Sequence, residues 1–278
     1  MNGRNDVAIA EFSARSLAEL QSLEGRRAVV TGGARGMGMA IARRLAEAGA
    51  TVTIGDIDEQ AATGALDEIR GASQRDVYAA ALDIADASSV KHFADHAQEK
   101  MGGLDIWVNN AGVYPIAPFL EIDIERWKWV LGVNLEGVFH GSQEAARRMI
   151  ACGSQCGVIV NISSLAGFRA HLGMSDYTAA KHGVVGLTRS MALELGPKNI
   201  RVLGIAPATV ITPGSMALSA SAFETDPTGD LVAQSPLGRV GVPDDIARVA
   251  LFCASDMSAL MTGSTLYVDY GSAAGVFP

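Results

Sequence analysis

Cysteine is scarce in this 278-residue chain. The three present (Cys152, Cys156 and Cys253) are an odd number, which gives no disulfide framework and fits a reducing cytoplasm. Cys152 and Cys156 stand four apart in ACGSQCG, but nothing completes a ligand set and the five histidines are scattered, so no metal is expected. Positive charge is also short. Lys and Arg number 22 against 30 Asp and Glu, for a net charge of −8 and a pI near 5.1. That excludes the basic face which neutralising the phosphates of nucleic acid requires. No apolar run is long enough to cross a bilayer, so no membrane partner is expected. The N-terminal MNGRNDVAIAEFSARS carries a single four-residue apolar run, too short for the core of a signal peptide. Repeats, low-complexity tracts and Pro/Ser-rich linkers are absent as well, and nothing divides the chain into two domains.

What is present is a core: 49% of residues are hydrophobic and 19% charged, the balance of a globular domain. Short apolar runs alternate with helical segments. RAVVTG (26–32), TVTIGD (51–56), VYAAALD (77–83), LDIWVNNAG (104–112), GVIVNISS (157–164), IRVLGIAP (200–207) and STLYVDYG (264–271) read as strands. Between the first two, Met37, Ile41, Leu45 and Ala48 line one helical face. Parallel strands need long crossovers and are buried on both sides, so this alternation predicts an α/β fold. The expected architecture is a Rossmann-like, doubly wound parallel sheet of about seven strands flanked by helices, in a single domain over 25–278. Residues 1–24 form an extension in which Ser16 and Glu19 have capping-box spacing.

The first strand runs directly into TGGARGMG, residues 31–38, and then a helix. Glycines allow a tight turn and a close approach of backbone N–H groups to a pyrophosphate over the helix N-terminus. The second strand ends on Asp56, where a carboxylate accepts bonds from the ribose hydroxyls and repels a 2′-phosphate, which favours NAD. Arg35 in the loop is the opposing signal, since it would welcome the 2′-phosphate of NADP, the less favoured cofactor. Farther along, SDYTAAKHG sets Tyr177 one helical turn ahead of Lys181, so both can face one cleft. A phenol is a poor base at neutral pH, and a nearby ammonium together with a positive nicotinamide ring is expected to lower its pKa.

The Gly32-x-x-x-Gly36-x-Gly38 spacing, NNAG at 109–112, VNLEGVF at 133–139, NISS at 161–164 and YTAAK at 177–181 together resemble the classical short-chain dehydrogenase/reductase family, from about residue 25 to 271. The resemblance implies an oxidoreductase that moves hydride between NAD(P) and an alcohol or carbonyl, assembled as a homotetramer or a homodimer. It implies a catalytic tetrad of Asn134, Ser164, Tyr177 and Lys181, with Ser164 chosen over Ser163 by its distance from the tyrosine. Tyr177 is the acid–base group, Ser164 holds the substrate oxygen, and Asn134 holds a water in a relay to the lysine. Read on its own, Asn134 could equally cap a helix. Cofactor contacts are implied at Gly32, Arg35, Gly36, Met37, Gly38, Asp56, Ile57, Asp83, Ile84, Asn110, Ala111, Gly112, Pro207, Val210 and Thr212, besides Tyr177 and Lys181. The chain has Pro207-Ala208 where the family has Pro-Gly, so the backbone there is expected to differ slightly.

The substrate pocket is expected from Tyr114, Leu165, Phe168, Leu172 and Met216, with Ile116 and Met174 nearby and a lid over about 212–230. All these side chains are uncharged, which points to a hydrophobic cyclic, terpenoid, steroid or aryl secondary alcohol and its ketone; Arg169 is the one charge that would disturb this. Two other readings stand beside it: a 3-oxoacyl-thioester reductase of the same family, and a non-enzymatic NAD-binding scaffold or sensor. An intact tetrad speaks against the last.

Overall fold

Each strand run alternates its side chains between two apolar layers, and this pairing builds the sheet. Ala28 and Val30 of β1 (Arg27–Thr31), Ile106 and Val108 of β4 (Ile106–Asn109), and Val158 and Val160 of β5 (Gly157–Ile162) enter one core. Val29, Trp107 and Ile159 on the same strands enter the other. Buried on both faces, these strands have no polar side to offer solvent, as a fully covered parallel sheet demands. The computed structural model describes residues 12–71, 73, 75–216, 232–233 and 235–275.

The remaining strands are β2 (Thr51–Asp56), β3 (Val77–Ala81), β6 (Ile200–Pro207) and β7 (Thr265–Val268). All seven are parallel, in the order β3-β2-β1-β4-β5-β6-β7. One core lies under α2 (Gly36–Glu47), α3 (Glu59–Gly71) and α8 (Pro243–Ala254). The other lies under α4 (Ala87–Met101), α6 (Gly137–Ala151) and α7 (Ser175–Leu195). On α2 the expected apolar face holds: Ile41 and Leu45 are fully buried, with Met37 and Ala48 packed beside them. The strand order reverses direction between β1 and β4, and the crevice outside the strand C-termini at that point is where an open α/β sheet binds its ligand.

Ser16 and Glu19 form the expected capping box, with the Glu19 carboxylate accepting from the Ser16 N–H at 2.7 Å, and start α1 (Leu17–Gln21). The extension is fastened to the body by Arg15, which pairs with Asp256 at 2.7 Å. Ala208 has no positive φ and donates its N–H to the Val268 carbonyl, so the missing glycine is accommodated by an ordinary backbone. Among the described residues the three cysteines are free and no group of metal-ligating side chains is assembled. No described helix is long and apolar enough to cross a membrane.

Candidate active site

The turn after β1 is built on two glycines. Gly32 has φ +63, a left-handed conformation that other residues reach only with strain. A Cβ on Gly38 would run into the Gly32 carbonyl oxygen and lie 2.6 Å from Asn110 Nδ2, so the helix passes too close to the turn for any side chain. Asn110 pins the turn from β4, its Nδ2 donating to the carbonyls of Thr31 (2.9 Å) and Gly32 (3.1 Å). Thr31 Oγ1 accepts from the N–H groups of Asn110 and Ala111 in return. The first turn of α2 has no side-chain cap, because Arg35 at the cap position makes no such bond. Its free N–H groups, on a twelve-residue helix opening into the cleft, fit a pyrophosphate.

Asp56 closes the nucleotide end. Its Oδ2 accepts from Ala34 N at 3.1 Å and its Oδ1 from Asp58 N at 3.2 Å, leaving lone pairs for further donors. Arg35 is exposed beside it and makes no ion pair among the described residues. The loop after β3 turns on Asp83, whose Oδ1 accepts from Ala85 N at 3.0 Å.

The chemical end comes from α7 and a break in the preceding helix. Between α5 (Ile124–Leu131) and α6, residues Gly132–Glu136 form a π-helical turn, a distortion that recurs at functional sites. Asn134 sits inside that turn, fully buried, so it is not a helix cap. Its Nδ2 donates to the carbonyls of Val113 (2.8 Å) and Val130 (3.0 Å), and its Oδ1 accepts from Val113 N (3.2 Å). Lys181 is buried one turn after Tyr177 and donates from Nζ to the Ile162 carbonyl at 2.9 Å; Nζ lies 5.6 Å from the Tyr177 ring centre.

The two groups titrate in opposite senses for one reason. Burial pushes the Tyr177 phenol up to about 12, partly opposed by a hydrogen bond with the Ser164 side chain. Burial brings the Lys181 ammonium down to about 8. The protein's own groups thus leave the phenol high. The lysine charge is engaged with the Ile162 carbonyl, and the expected lowering joins that charge to a positive nicotinamide ring.

A single cleft of about 430 Å³ joins both ends. Of the expected residues, its walls include Gly32, Arg35, Gly36, Met37, Asp56, Ile57, Asp83, Ile84, Asn110, Ala111, Gly112, Tyr114, Asn134, Tyr177, Lys181 and Thr212. Ser163 lines it too, with its hydroxyl donating to the Lys181 carbonyl at 3.3 Å; the expected Ser164 is not among the lining residues, its Oγ accepting from Ala166 N at 3.1 Å while its side chain lowers the Tyr177 phenol. The arrangement can hold an extended dinucleotide and move a proton at the tyrosine hydroxyl.

Other expected residues stand elsewhere. Pro207 closes β6 in the interior, and Val210 is buried in the core with its backbone bridging to Gly241. On the substrate side, Leu165 is a buried core residue and Phe168 stacks on Tyr267 with ring centres 4.8 Å apart. Leu172 is fully exposed and Met216 is 62% exposed, so neither lines the cleft. Phe168 and Leu172 lie in turns, Leu165 starts a 3-10 turn (Leu165–Gly167) and Met216 lies in a helical stretch over 213–216, and apolar character alone does not reveal which way residues in such short segments turn. The expected lid lies outside the described residues beyond Met216. Arg169 is occupied by the C-terminal segment, donating to the Ser272 carbonyl (3.0 Å) and hydroxyl (2.9 Å). Pro213 and Gly214 also line the cleft, from the start of the segment expected as the lid, and Leu82, Trp129, Val133 and Ile162 line it without having been expected. Trp129 follows Lys128 on α5 with no motif to mark it.

A glycine-turned phosphate loop, an acid at the end of β2 and a half-buried tyrosine beside a buried lysine in one crevice define a dinucleotide-linked oxidoreductase. The family model described as enoyl-(acyl carrier protein) reductase matches residues 32–273. Over 90% of its length the chain is 37% identical to the 3-oxoacyl-acyl-carrier-protein reductase of Thermotoga maritima, 98% of which is covered. Over 88% it is 40% identical to the cis-4-hydroxycyclohexanecarboxylate dehydrogenase of Sinomonas cyclohexanicum, with 96% of that protein covered. Among solved structures, a gluconate 5-dehydrogenase from Burkholderia cenocepacia in complex with NADP and tartrate superposes with a TM-score of 0.86 at 34% identity, covering 94% of this chain and 100% of that one. The chain belongs to the short-chain dehydrogenase/reductase family of oxidoreductases, which bind a nicotinamide cofactor.

Proposed function

We propose that this enzyme uses NAD to interconvert a hydrophobic, ring-bearing secondary alcohol and its ketone. The observation that carries the reading is the shared cleft, with Asp56 at one end and Tyr177 beside Lys181 at the other. A bound nicotinamide cofactor would supply the hydride acceptor or donor and, when oxidised, a positively charged ring. Tyr177 then takes the carbinol proton at Oη during oxidation and returns it during reduction; the high resting pKa keeps the phenol protonated, ready to donate, until that charge arrives. Ser164, hydrogen-bonded to Tyr177, orients the substrate oxygen and steadies its developing charge. Lys181 would hold the ribose of a bound nicotinamide cofactor, and Asn134, which fixes the Val113 segment, would hold the water of a proton relay. Val210 and Pro207 contribute through the backbone, and Gly38 by keeping the loop closed.

The apolar substrate follows from what surrounds Tyr177. Tyr114, Val113, Ile162, Pro213 and Gly214 line that end, Lys181 is the only charged side chain there among the described residues, and Arg169 is held by Ser272. The relative acting on a hydroxycyclohexane agrees with a ring substrate. NAD is preferred because Asp56 opposes a 2′-phosphate, and unpaired Arg35 accounts for residual use of NADP. The enzyme works in the cytoplasm as a homotetramer or homodimer, with one domain over 25–278, an N-terminal extension over 1–24 and a lid over about 212–230. A second reading, reduction of 3-oxoacyl thioesters, is favoured by the identity to the Thermotoga maritima reductase. One experiment separates them: kcat/KM for cyclohexanol and a panel of steroid, terpenoid and aryl alcohols with NAD+, against acetoacetyl thioester with NADPH. Preference for the alcohols with NAD+ is expected; preference for the thioester with NADPH refutes the reading.

A further inference from the structure

Asp176 is fully buried, and it sits immediately before the tyrosine in the first turn of α7. One of its oxygens, Oδ1, accepts from the Tyr177 N–H at 2.8 Å. The other, Oδ2, accepts from Arg126 Nε at 2.8 Å. Arg126 comes from α5, where Asp123 caps the helix by accepting from the Arg126 N–H at 2.7 Å. A second nitrogen of the same guanidinium, Nη2, donates to the Pro115 carbonyl at 3.0 Å. Pro115 follows Tyr114, whose ring meets the Tyr177 ring edge-on with centres 6.4 Å apart. One guanidinium thus holds the backbone beside Tyr114 directly and the backbone of Tyr177 through the Asp176 carboxylate.

Stability alone is a poor reason for this pair. A buried ion pair gains little over well-packed apolar residues of similar volume, because desolvation offsets the attraction. What a guanidinium offers instead is a rigid fork that fixes two acceptors relative to each other. The Val113–Pro115 segment is held at one end by Asn134 and at the other by Arg126, both on the α5–α6 helix. A tyrosine that must meet a substrate oxygen within a few tenths of an ångström needs such a frame, since a displacement of about 1 Å lowers turnover roughly a hundredfold.

We infer that Arg126 and Asp176 are positioning residues that lock the Tyr177-bearing turn of α7 and the Tyr114 segment into one reactive geometry. The inference rests on Tyr177 being the acid–base group. Its test uses the full-length enzyme, with cyclohexanol and the fastest alcohol of the panel as probes, following NADH absorbance and NADH binding by fluorescence. Arg126→Met leaves Asp176 buried and unpaired, and Tm should fall by about 10 °C. Arg126→Met with Asp176→Asn removes both charges, and Tm should recover. In that double variant kcat stays roughly 10- to 100-fold low and the alcohol KM stays raised, while NADH affinity is unchanged. Recovery of kcat together with Tm would overturn the inference, because a purely structural pair predicts it. Arg126→Lys covers the case in which the others fail to fold. An ammonium offers its donors from one nitrogen and not from the two fixed nitrogens that hold Asp176 and Pro115, so kcat should fall at least about tenfold with little change in Tm; full activity overturns the inference. Tyr177→Phe measured alongside separates the two failures. Near-normal turnover there refutes the acid–base assignment, whereas an inactive Tyr177→Phe beside fully active Arg126 variants refutes the positioning role alone.

Discussion

Replacing Lys181 with methionine should make the protein more stable while removing its activity. The ammonium is buried, and burial brings it from an ordinary 10.5 down to about 8. At ~1.4 kcal/mol per pH unit, keeping the charged form in the fold below pH 8 costs about 3 kcal/mol. Methionine fills a similar volume without charge but forfeits the Nζ bond to the Ile162 carbonyl, about 1 kcal/mol. The net gain near neutral pH is about 2 kcal/mol, a rise in Tm of roughly 5 °C. The gain also depends on pH in a definite sense. In the fold the lysine releases its proton near 8, whereas the unfolded chain holds it to 10.5, so between those values the unfolded state binds more protons and the natural protein becomes more stable as pH rises. The advantage of methionine should therefore vanish near about pH 9.8, become a deficit above it, and level off past about pH 10.5 at the lost hydrogen bond, about 1 kcal/mol. Thermal or urea melts of both proteins at these pH values measure it. A methionine variant less stable at neutral pH, or a difference that does not move with pH, would refute the argument that burial destabilises the ammonium.

Three substitutions probe the rest of the cleft. Asp56→Asn removes the charge that opposes a 2′-phosphate, and kcat/KM with NADP should rise by about 10- to 100-fold relative to NAD; an unchanged ratio would mean that Asp56 only braces the Ala34 turn. Gly38→Ala drives a methyl group into the Gly32 carbonyl, and NADH affinity by fluorescence titration should weaken at least about tenfold, whereas an unaltered affinity would show that the loop can give way. Ser164→Ala should lower kcat by roughly 10²- to 10³-fold with NADH binding intact; a comparable loss in Ser163→Ala instead would move the role to the neighbour that lines the cleft.

The architecture was legible because the interior is built from repeating local signals. β2 and β6 begin and end where TVTIGD and IRVLGIAP do, and the Ser16–Glu19 box starts a helix where its spacing says. The nucleotide end was legible for a related reason: the glycines, Asp56, Asp83 and Asn110 all lie at strand ends, and strand ends are fixed by the sheet. The tetrad residues converge through elements whose periodicity is visible, although the π-helical turn around Asn134 is not, since GVNLE looks like ordinary helix. The substrate side resisted reading. Leu165, Phe168, Leu172 and Met216 sit in turns and short helical stretches, where burial is decided by tertiary contacts such as Phe168 on Tyr267 and not by spacing. The Arg126–Asp176 pair was equally hidden: two charged residues fifty positions apart carry no pattern until the fold brings α5 against α7. The height of the resting phenol was hidden as well, because sequence names the neighbours of a group but not how much water they exclude.

The central claim is that the Tyr177 hydroxyl carries the proton while the nucleotide end works independently of it. The most direct test is a single-turnover measurement of hydride transfer in Tyr177→Phe at saturating NAD+ and alcohol, paired with an NADH titration of the same variant. The account predicts that turnover falls below detection while the dissociation constant for NADH stays within about twofold of the natural protein's. Hydride transfer at a near-natural rate, with the cofactor bound as usual, would contradict it.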